Sequence, residues 1–356
     1  MREGVGLRRF AGLALAAVLT LAAALPAGAG EDRSDEPLTG EELTPEVIAA
    51  VGRGLDYLAR NQDRDGSFGG GGGPGGANAA VTGICGMAFL AQGNVPGRGK
   101  YAKNVEKVVD WMLKCGDQRT GLLHGPQTSH GVMYEHGFAT LFLAEAYGMT
   151  QDDKIKRRLQ NAIRLIAQTQ LESGGWWYQP DRSPGKTSDI SVTICQTMAL
   201  RAARNVGVNV PQKTVDKAVD CVKRAAQADG GFAYQVPNPP AKAGGGSAPP
   251  RSAAGLCILY GLGEYNAKET KEGLKYLDKI GPQQMGMFYG TYYGTQAMYQ
   301  AGGKYWTKWW TGISKDLVKK QQADGSWTGD GYGTYGTGMG CIILCVPYNY
   351  LPILQR

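Results

Sequence analysis

The residues best suited to acid–base or metal chemistry are three histidines, His124, His130 and His136, together with Glu135 and Asp189. Imidazole and carboxylate groups are ligands for zinc and other divalent ions. The six-residue spacing of the histidines matches no familiar ligand pattern, and the first two fall in a predicted loop that would fix them poorly. We therefore predict no metal site and no cofactor. We expect His136 to line a cavity mouth as a lone polar group.

Asp189 fits two roles. It stands at the start of a predicted helix, where aspartate commonly caps the N-terminus with its side chain. The alternative is an acid or a ligand-contacting group, and the sequence leaves both open. His136 and Asp189 are the candidate catalytic groups. The candidate ligand-binding residues are Tyr134, His136, Asp189, Ser191, Tyr292 and Tyr335.

Aromatic residues collect near the predicted starts of several helices. They are Tyr134, Phe288, Tyr289, Tyr292, Tyr293, Tyr332 and Tyr335. Core packing is one interpretation, and an aromatic-walled cavity is the other, because apolar pockets with a few polar groups are the usual ligand sites. A second group, Trp306, Trp309 and Trp310, lies on a predicted amphipathic helix. We expect at least one of these tryptophans to be exposed, as a surface for a protein or glycan partner.

These residues are embedded in a sequence repeat, in which a glutamine is followed by a glycine and, two positions on, by a bulky apolar residue. The copies are Gln62-Gly66-Phe68, Gln118-Gly121-Leu123, Gln170-Gly174-Trp176, Gln227-Gly230-Phe232, Gln284-Gly286-Phe288 and Gln322-Gly325-Trp327. The glycines are 55, 53, 56, 56 and 39 residues apart, a period typical of stacked supersecondary units. Glycine can end a helix in the left-handed conformation, and glutamine can bond the freed backbone groups. No residue of the motif requires catalysis.

Each copy separates two kinds of predicted helix. Amphipathic helices precede the motif, as in Val47-Val51-Leu55-Leu58, and should form an outer ring. Helices poor in charge and rich in small residues follow it, near 79–92, 135–148, 188–205, 252–264, 290–301 and 335–346. Helices apolar on nearly all sides are buried ones. The sequence therefore predicts an all-α fold, a single α/α toroid of six helix pairs over residues 44–356, with its long loops on one rim.

The first 29 residues have the three parts of a signal peptide. A cationic start with Arg2, Arg8 and Arg9 precedes an apolar run over 10–25 and a small-residue site ending at Ala29. We expect cleavage there, a disordered lead-in over 30–43, and a periplasmic or extracellular protein without a transmembrane span. An uncleaved N-terminal anchor is the alternative.

Two bulk properties, the net charge and the cysteine content, bear on nucleic-acid binding and on disulfide bonding. The formal charge of +7 becomes +5 without the signal segment, which holds three arginines and one glutamate. The excess is spread along the chain, so we expect no nucleic-acid partner. The seven cysteines are odd in number, and four of them lie in apolar helices. We predict buried thiols in preference to a disulfide framework.

The repeated glutamine–glycine–aromatic elements between alternating helices resemble the repeat of prenyltransferases and squalene cyclases, over residues 44–356. The resemblance implies the toroid, but the motifs that carry catalysis in that superfamily are altered here. Where squalene-hopene cyclases have Asp-x-Asp-Asp-Thr, this chain has Asp189-Ile190-Ser191-Val192-Thr193, and Ser191 replaces the protonating acid.

The residues that carry zinc binding and thioester formation in other proteins of this fold are also missing from the sequence. Protein prenyltransferase β subunits bind zinc through an Asp-x-Cys pair and a later histidine. Here Ser191 replaces the thiolate, and no histidine follows His136. The Gly-Cys-Gly-Glu-Gln sequence of complement-type thioesters does not occur. We therefore expect a non-catalytic toroid that binds a ligand or partner. The alternative is a divergent transferase or cyclase-like enzyme acting on a hydrophobic isoprenoid or lipid in a central cavity.

Overall fold

Twelve helices alternate between an outer and an inner ring in the residues that the computed structural model describes, 42–69, 76–126, 131–238, 243–286, 288–329 and 333–355. The outer helices are α1 (Pro45–Arg60), α3 (Ala102–Lys114), α5 (Asp153–Thr169), α7 (Gln212–Ala225), α9 (Lys268–Ile280) and α11 (Gly303–Lys320). The inner helices are α2 (Ala79–Ala91), α4 (Val132–Thr150), α6 (Ile190–Asn205), α8 (Pro249–Gly261), α10 (Tyr289–Ala301) and α12 (Gly333–Cys345). The predicted signal peptide and the lead-in up to residue 41 lie outside the described residues.

The inner helices form a closed ring. Each contacts the next in chain order, and α12 returns to contact α2, while α11 contacts α1 in the outer ring. Inner helices such as α2 are buried on nearly all sides, whereas outer helices such as α5 bury one stripe that includes Ile155, Leu159 and Ile163. The predicted all-α toroid of six helix pairs is confirmed. Its inner helices begin within three residues of the predicted positions.

The motif glycines are required by close packing between neighbouring repeats. Gly66, Gly121, Gly174, Gly230 and Gly325 all have φ between 87° and 97°. Each lies against the backbone of the next outer helix; a Cβ on Gly174, for example, would be 1.9 Å from the carbonyl oxygen of Lys217. Glycine is therefore required for two reasons: it adopts the left-handed conformation readily, and it has no side chain to collide with the next helix.

The motif glutamine connects each of three repeats to the next. Gln62 Nε2 donates to the carbonyls of Gly66 and Asn104, each at 3.0 Å. Gln170 makes the same pair of bonds, to Gly174 (2.7 Å) and to α7. In the last repeat, Gln321 Nε2 donates to the carbonyls of Gly325 (2.9 Å) and of Ala50 in α1 (2.8 Å). The sequence-based choice of Gln322 is therefore wrong by one position, because the bond requires a four-residue spacing to the glycine.

The end of the inner ring opposite the long loops is covered by residues 351–355, here called the C-terminal strap. It contains a 3-10 turn, Pro352–Leu354, that contacts α4 and α6. Leu351, Ile353 and Leu354 are at most 2% exposed. The strap is thus part of the core.

Two further observations concern membranes and thiols. Among the described helices, none combines the length and apolar character that crossing a bilayer requires. All seven cysteines are free thiols, and all but Cys115 are buried, as the sequence predicted.

Candidate functional site

The N-terminal ends of the inner helices meet at the loop-bearing end of the ring. Partly exposed tyrosines collect there, and we call this cluster the tyrosine mouth. Its members are Tyr134, Tyr178, Tyr234, Tyr289 and Tyr335. The ring centroids of Tyr134 and Tyr178 lie 5.9 Å apart, and those of Trp177 and Tyr178 lie 4.5 Å apart. The mouth therefore offers adjacent aromatic faces that carry hydroxyl groups.

Asp189 lies beneath these tyrosines and is fully buried. Its Oδ1 accepts from the backbone N–H groups of Ser191 (2.7 Å) and Val192 (3.3 Å), which caps α6. Its Oδ2 accepts from the Tyr178 hydroxyl at 2.5 Å. The capping role expected for Asp189 is thus observed, and a second contact links the carboxylate to the mouth.

The hydrogen bonds continue from Tyr178 to Tyr234. Because the Tyr178 hydroxyl donates its hydrogen bond to Asp189, the Tyr234 hydroxyl must donate to Tyr178. Tyr234 then ends the chain with an oxygen that can accept from a ligand. Burial and the neighbouring Asp189 raise the pKa of Tyr178, so this hydroxyl keeps its proton at neutral pH. The chain Asp189–Tyr178–Tyr234 is a fixed polar track from the core to the surface.

A small sheet that the sequence did not predict holds this track in place. Strand β1 (Ser188–Asp189) pairs antiparallel with β2 (Gln235–Val236). The N–H of Ile190 donates to the Tyr234 carbonyl at 3.0 Å. Two loops far apart in sequence are thereby joined next to Asp189.

Arg251, at the first turn of α8, lies beside the mouth. The Arg251 guanidinium lies 5.3 Å from the ring centroid of Tyr234 and donates through Nη2 to the carbonyl of Gly246 at 3.1 Å. Its buried Nε has no hydrogen-bond partner within the described residues. Arg251 thus places a guanidinium group beside the aromatic ring that ends the Asp189–Tyr178–Tyr234 track.

Below the mouth, aromatic rings pack into the inner ring. Tyr292 and Tyr293 are at most 2% exposed and meet edge to face at 4.8 Å. Tyr293 also packs against Tyr289 at 5.0 Å. The buried Tyr289 hydroxyl faces Ser191 without reaching hydrogen-bond geometry. Of the predicted ligand-binding residues, Tyr134, Asp189, Ser191 and Tyr335 are thus placed at the mouth, and Tyr292 lies deeper, in the core.

His136 does not line the mouth, and the expectation that it does is corrected. It is fully buried, with Nδ1 accepting from the Leu123 N–H at 3.1 Å and Nε2 donating to the Ala162 carbonyl at 3.2 Å. Burial lowers the pKa of His136 to about 4, so the ring is neutral. Nε2 thus joins α4 to the outer helix α5, while Nδ1 holds Leu123 in the loop before α4.

The tryptophans do not form an exposed surface, so that expectation is also wrong. Trp306, Trp309 and Trp310 are 4%, 2% and 6% exposed. Trp309 Nε1 donates to Thr295 of α10 at 3.0 Å, and Trp310 Nε1 donates to the carbonyl of Glu42 at 3.2 Å. Helix α11 is covered on two sides, by α10 and by the segment that precedes α1.

The histidines are not gathered into a metal site in the part of the chain that is described. His124 Nδ1 lies 2.7 Å from the Gly125 carbonyl, and Glu135 Oε2 accepts from the N–H groups of Ala79 and Gly125. No three histidine, cysteine, aspartate or glutamate side chains there are placed to hold one ion. His130 and Tyr332 lie outside the described residues.

Sequence reasoning missed Tyr178, Tyr234 and Arg251. Each lies on a rim loop or at the first turn of a helix, and none belongs to a periodic pattern. The available signal was positional: Tyr178 and Tyr234 both stand two residues after the bulky residue of the motif, Trp176 and Phe232.

Comparison with known proteins supports this architecture. The sequence model of the prenyltransferase alpha-alpha toroid domain matches residues 42–114 and 84–279. The search against curated proteins gave no significant match.

Solved structures with the same fold include a glycoside hydrolase family 76 alpha-mannanase from Bacteroides thetaiotaomicron (TM-score 0.64, 9% identity, covering 87% of this chain and 98% of that one). An inactive alpha-1,6-mannanase variant from Salegentibacter, in complex with alpha-1,6-mannotriose, has a TM-score of 0.62 at 7% identity, over 87% and 100% of the chains. A type II terpene cyclase from Scytonema, in complex with its substrate geranylgeranyl dihydroxybenzoate, has a TM-score of 0.59 at 11% identity, over 88% and 100%.

At these identities the solved structures establish the fold and not the activity. The family model covers well over half of the chain, including the first four repeats. The chain therefore belongs to the prenyltransferase alpha-alpha toroid domain family.

Proposed function

We propose that this toroid is a binding protein that takes a glycan at the tyrosine mouth. The observation that carries the proposal is the hydrogen-bonded chain Asp189–Tyr178–Tyr234, bordered by the partly exposed rings of Tyr134 and Trp177. Sugar rings present an apolar C–H face that stacks on aromatic rings, and hydroxyls at their edges. Aromatic side chains with polar tips suit such ligands, because one end is apolar and the other hydrogen-bonds.

The arrangement of Asp189 supports binding in preference to catalysis. Two backbone N–H groups and the Tyr178 hydroxyl bond its oxygens. A carboxylate held by three donors fixes the positions of its neighbours. Tyr234 then supplies a hydrogen-bond acceptor at the surface, and the Arg251 guanidinium lies beside its ring. The alpha-1,6-mannanase that shares the fold, bound to mannotriose, is consistent with a saccharide ligand here.

A second candidate is an enzyme that acts on an isoprenoid. The observation that favours it is the aromatic packing of Tyr289, Tyr292 and Tyr293 below the mouth. The terpene cyclase with the same fold holds a geranylgeranyl substrate. This candidate requires a long apolar chain to enter between rings that are packed against each other.

Titration calorimetry with a mannooligosaccharide series, and separately with geranylgeraniol in detergent, distinguishes the two candidates. We expect saccharide binding that weakens at least tenfold in Tyr234→Ala. Tyr350→Ala is the matched control, since Tyr350 is also an exposed tyrosine (53%, against 39% for Tyr234) but lies at the opposite end of the ring. Binding of geranylgeraniol alone would favour the second candidate. If neither class binds, or Tyr350→Ala weakens binding equally, the mouth is not the site.

We also propose export of the chain, supported by the three-part pattern of its first 29 residues. Mass spectrometry of the protein from its native cell should find Gly30 as the first residue, in an extracytoplasmic fraction. A cytoplasmic protein that retains residues 1–29 would contradict this.

A further inference from the structure

Besides the burial of its apolar side chains, the C-terminal strap makes a few polar contacts with the inner ring. The N–H of Ile353 donates to Glu145 Oε2 at 3.4 Å. The carbonyl of Gln355 accepts from Arg201 Nη2 at 3.3 Å and from Gln300 Nε2 at 3.0 Å. Three side chains, from α4, α6 and α10, thus hold a segment of five residues.

Glu145 is the unusual member of these three. Its side chain is fully buried, and Oε1 has no hydrogen-bond partner in the described part of the chain. Its one bond is the long one to the strap. A charged carboxylate in such a site would be poorly solvated, since one weak backbone donor replaces its water shell.

The charged and titratable groups around Glu145 come from three neighbouring helices, α6, α8 and α10. Arg201 of α6 attracts its negative charge, and Tyr292 of α10 interacts with it electrostatically. On α8, Cys257 interacts with both of these residues. The strap itself provides a backbone N–H among its described residues.

We propose that Glu145 is a proton-operated latch for the C-terminal strap. The neutral carboxyl keeps the strap docked over the lower end of the inner ring. Ionisation leaves a buried charge that is relieved when the strap lifts and water reaches the carboxylate. The inference is independent of what binds at the mouth.

The pH range of the latch follows from the difference in the pKa of Glu145 between the docked and the lifted strap. Burial raises the pKa of the docked Glu145 carboxyl to about 8, from an ordinary value of 4.5. The docked state therefore binds more protons between these two values, and docking weakens as pH rises through them. The lifted population increases up to about tenfold per pH unit in this range and becomes constant above pH 8. The raised pKa values of Tyr292 and Cys257 keep both groups neutral in this range.

Hydrogen exchange of the full-length protein between pH 5 and 9 tests the latch. Protection factors, corrected for the intrinsic pH dependence of exchange, are measured for the amides of residues 351–355 and of α4. We expect strap protection to fall at least thirtyfold from pH 5 to 8 and then level off, while the protection of α4 changes far less.

Two variants and one control make the result specific. Glu145→Gln should abolish the pH dependence of strap protection. Glu135→Gln, a change at another buried glutamate near the opposite end of α4, should retain it. Gln300→Ala should lower strap protection at every pH with an unchanged slope, which keeps the test valid if Glu145→Gln fails to fold. A flat wild-type profile overturns the proposal. So does equal loss of protection in the strap and α4, which would indicate global unfolding.

Discussion

Position 136 shows how one structural role can be filled by different side chains. In four other repeats the N–H of the bulky motif residue donates to a hydroxyl on the first turn of the following inner helix. The pairs are Phe68 with Thr82, Trp176 with Thr193, Phe232 with Ser252 and Trp327 with Thr337, at 3.0–3.2 Å. In the second repeat Leu123 donates to the imidazole of His136 instead. The histidine is a structural acceptor with a longer reach, and its second nitrogen also binds α5.

Replacing His136 should alter both stability and its pH dependence. His136→Ala removes two buried hydrogen bonds and leaves a cavity, so we expect a loss of about 2–4 kcal/mol in the free energy of unfolding. His136→Thr restores the acceptor used by the other repeats and should recover part of that loss. Urea unfolding at pH 7 measures both changes. Equal stability of the alanine and threonine variants would contradict the assigned role.

The same residue should make the wild type sensitive to mild acid. The pKa of His136 is lowered to about 4 in the folded state, so the unfolded chain binds the additional proton. Stability from this group is complete above pH 6.5 and is lost as pH falls toward 4, by up to about 3 kcal/mol. His136→Thr should lack this loss in urea unfolding from pH 7 to 4. The contribution of His136 is the difference between the wild type and His136→Thr. The wild-type profile alone does not isolate it, because Glu145 changes the free energy of unfolding with the opposite sign over the same pH range.

At the scale of the helix–loop–helix element, the motif glycines are the most constrained positions. Gly174 has φ +91°, and a Cβ there would collide with the Lys217 carbonyl. Gly286 has φ +72°, but a Cβ there would meet no atom of the described residues within 4 Å. Gly286→Ala should lower stability by about 1–2 kcal/mol, the usual cost of a left-handed alanine. Gly174→Ala should lower it by at least twice as much, as measured by denaturant midpoints. Similar losses would show that the backbone contact is relieved easily.

The sequence predicted the elements well, because their signals are local and repeated. Amphipathic stripes and runs of small residues are visible within short segments of the chain, and the period near 55 residues repeats them. The rim could not be predicted in the same way, since Tyr178 and Tyr234 meet through loops of irregular length. The pairing of β1 with β2 depends on two residues in each strand, too few to produce a pattern.

Two wrong expectations have a common physical reason. The amphipathic pattern of α11 predicts one buried face, but an outer helix in a closed ring has neighbours on both sides. Trp309 packs toward α10 while Trp310 bonds the backbone before α1. The sequence motif indicates Gln322, although its neighbour Gln321 is the glutamine that reaches α1. Tertiary neighbours decide such cases.

At the scale of the whole molecule, Gln321 closes the ring. Its side chain hydrogen-bonds repeat six to repeat one, as Gln62 and Gln170 each hydrogen-bond one repeat to the next. Gln321→Ala should lower the free energy of unfolding by about 2 kcal/mol, since it leaves the carbonyls of Ala50 and Gly325 without this donor. Gln322→Ala is the adjacent control and should change stability by less than about 0.5 kcal/mol. Thermal unfolding compares them, and an equal shift in both would show that ring closure does not depend on this contact.

Closure also sets what this architecture can tolerate over evolutionary time. A linear array of repeats can gain or lose a unit at either end, because each unit needs only its neighbours and the terminal ones are capped. Here α12 contacts α2 and α11 contacts α1, so removing one helix pair would leave a gap that the remaining pairs must bend to fill. Duplication or deletion of a single repeat is therefore strongly disfavoured. Diversification is left to the loops of the rim, which can lengthen without disturbing the ring.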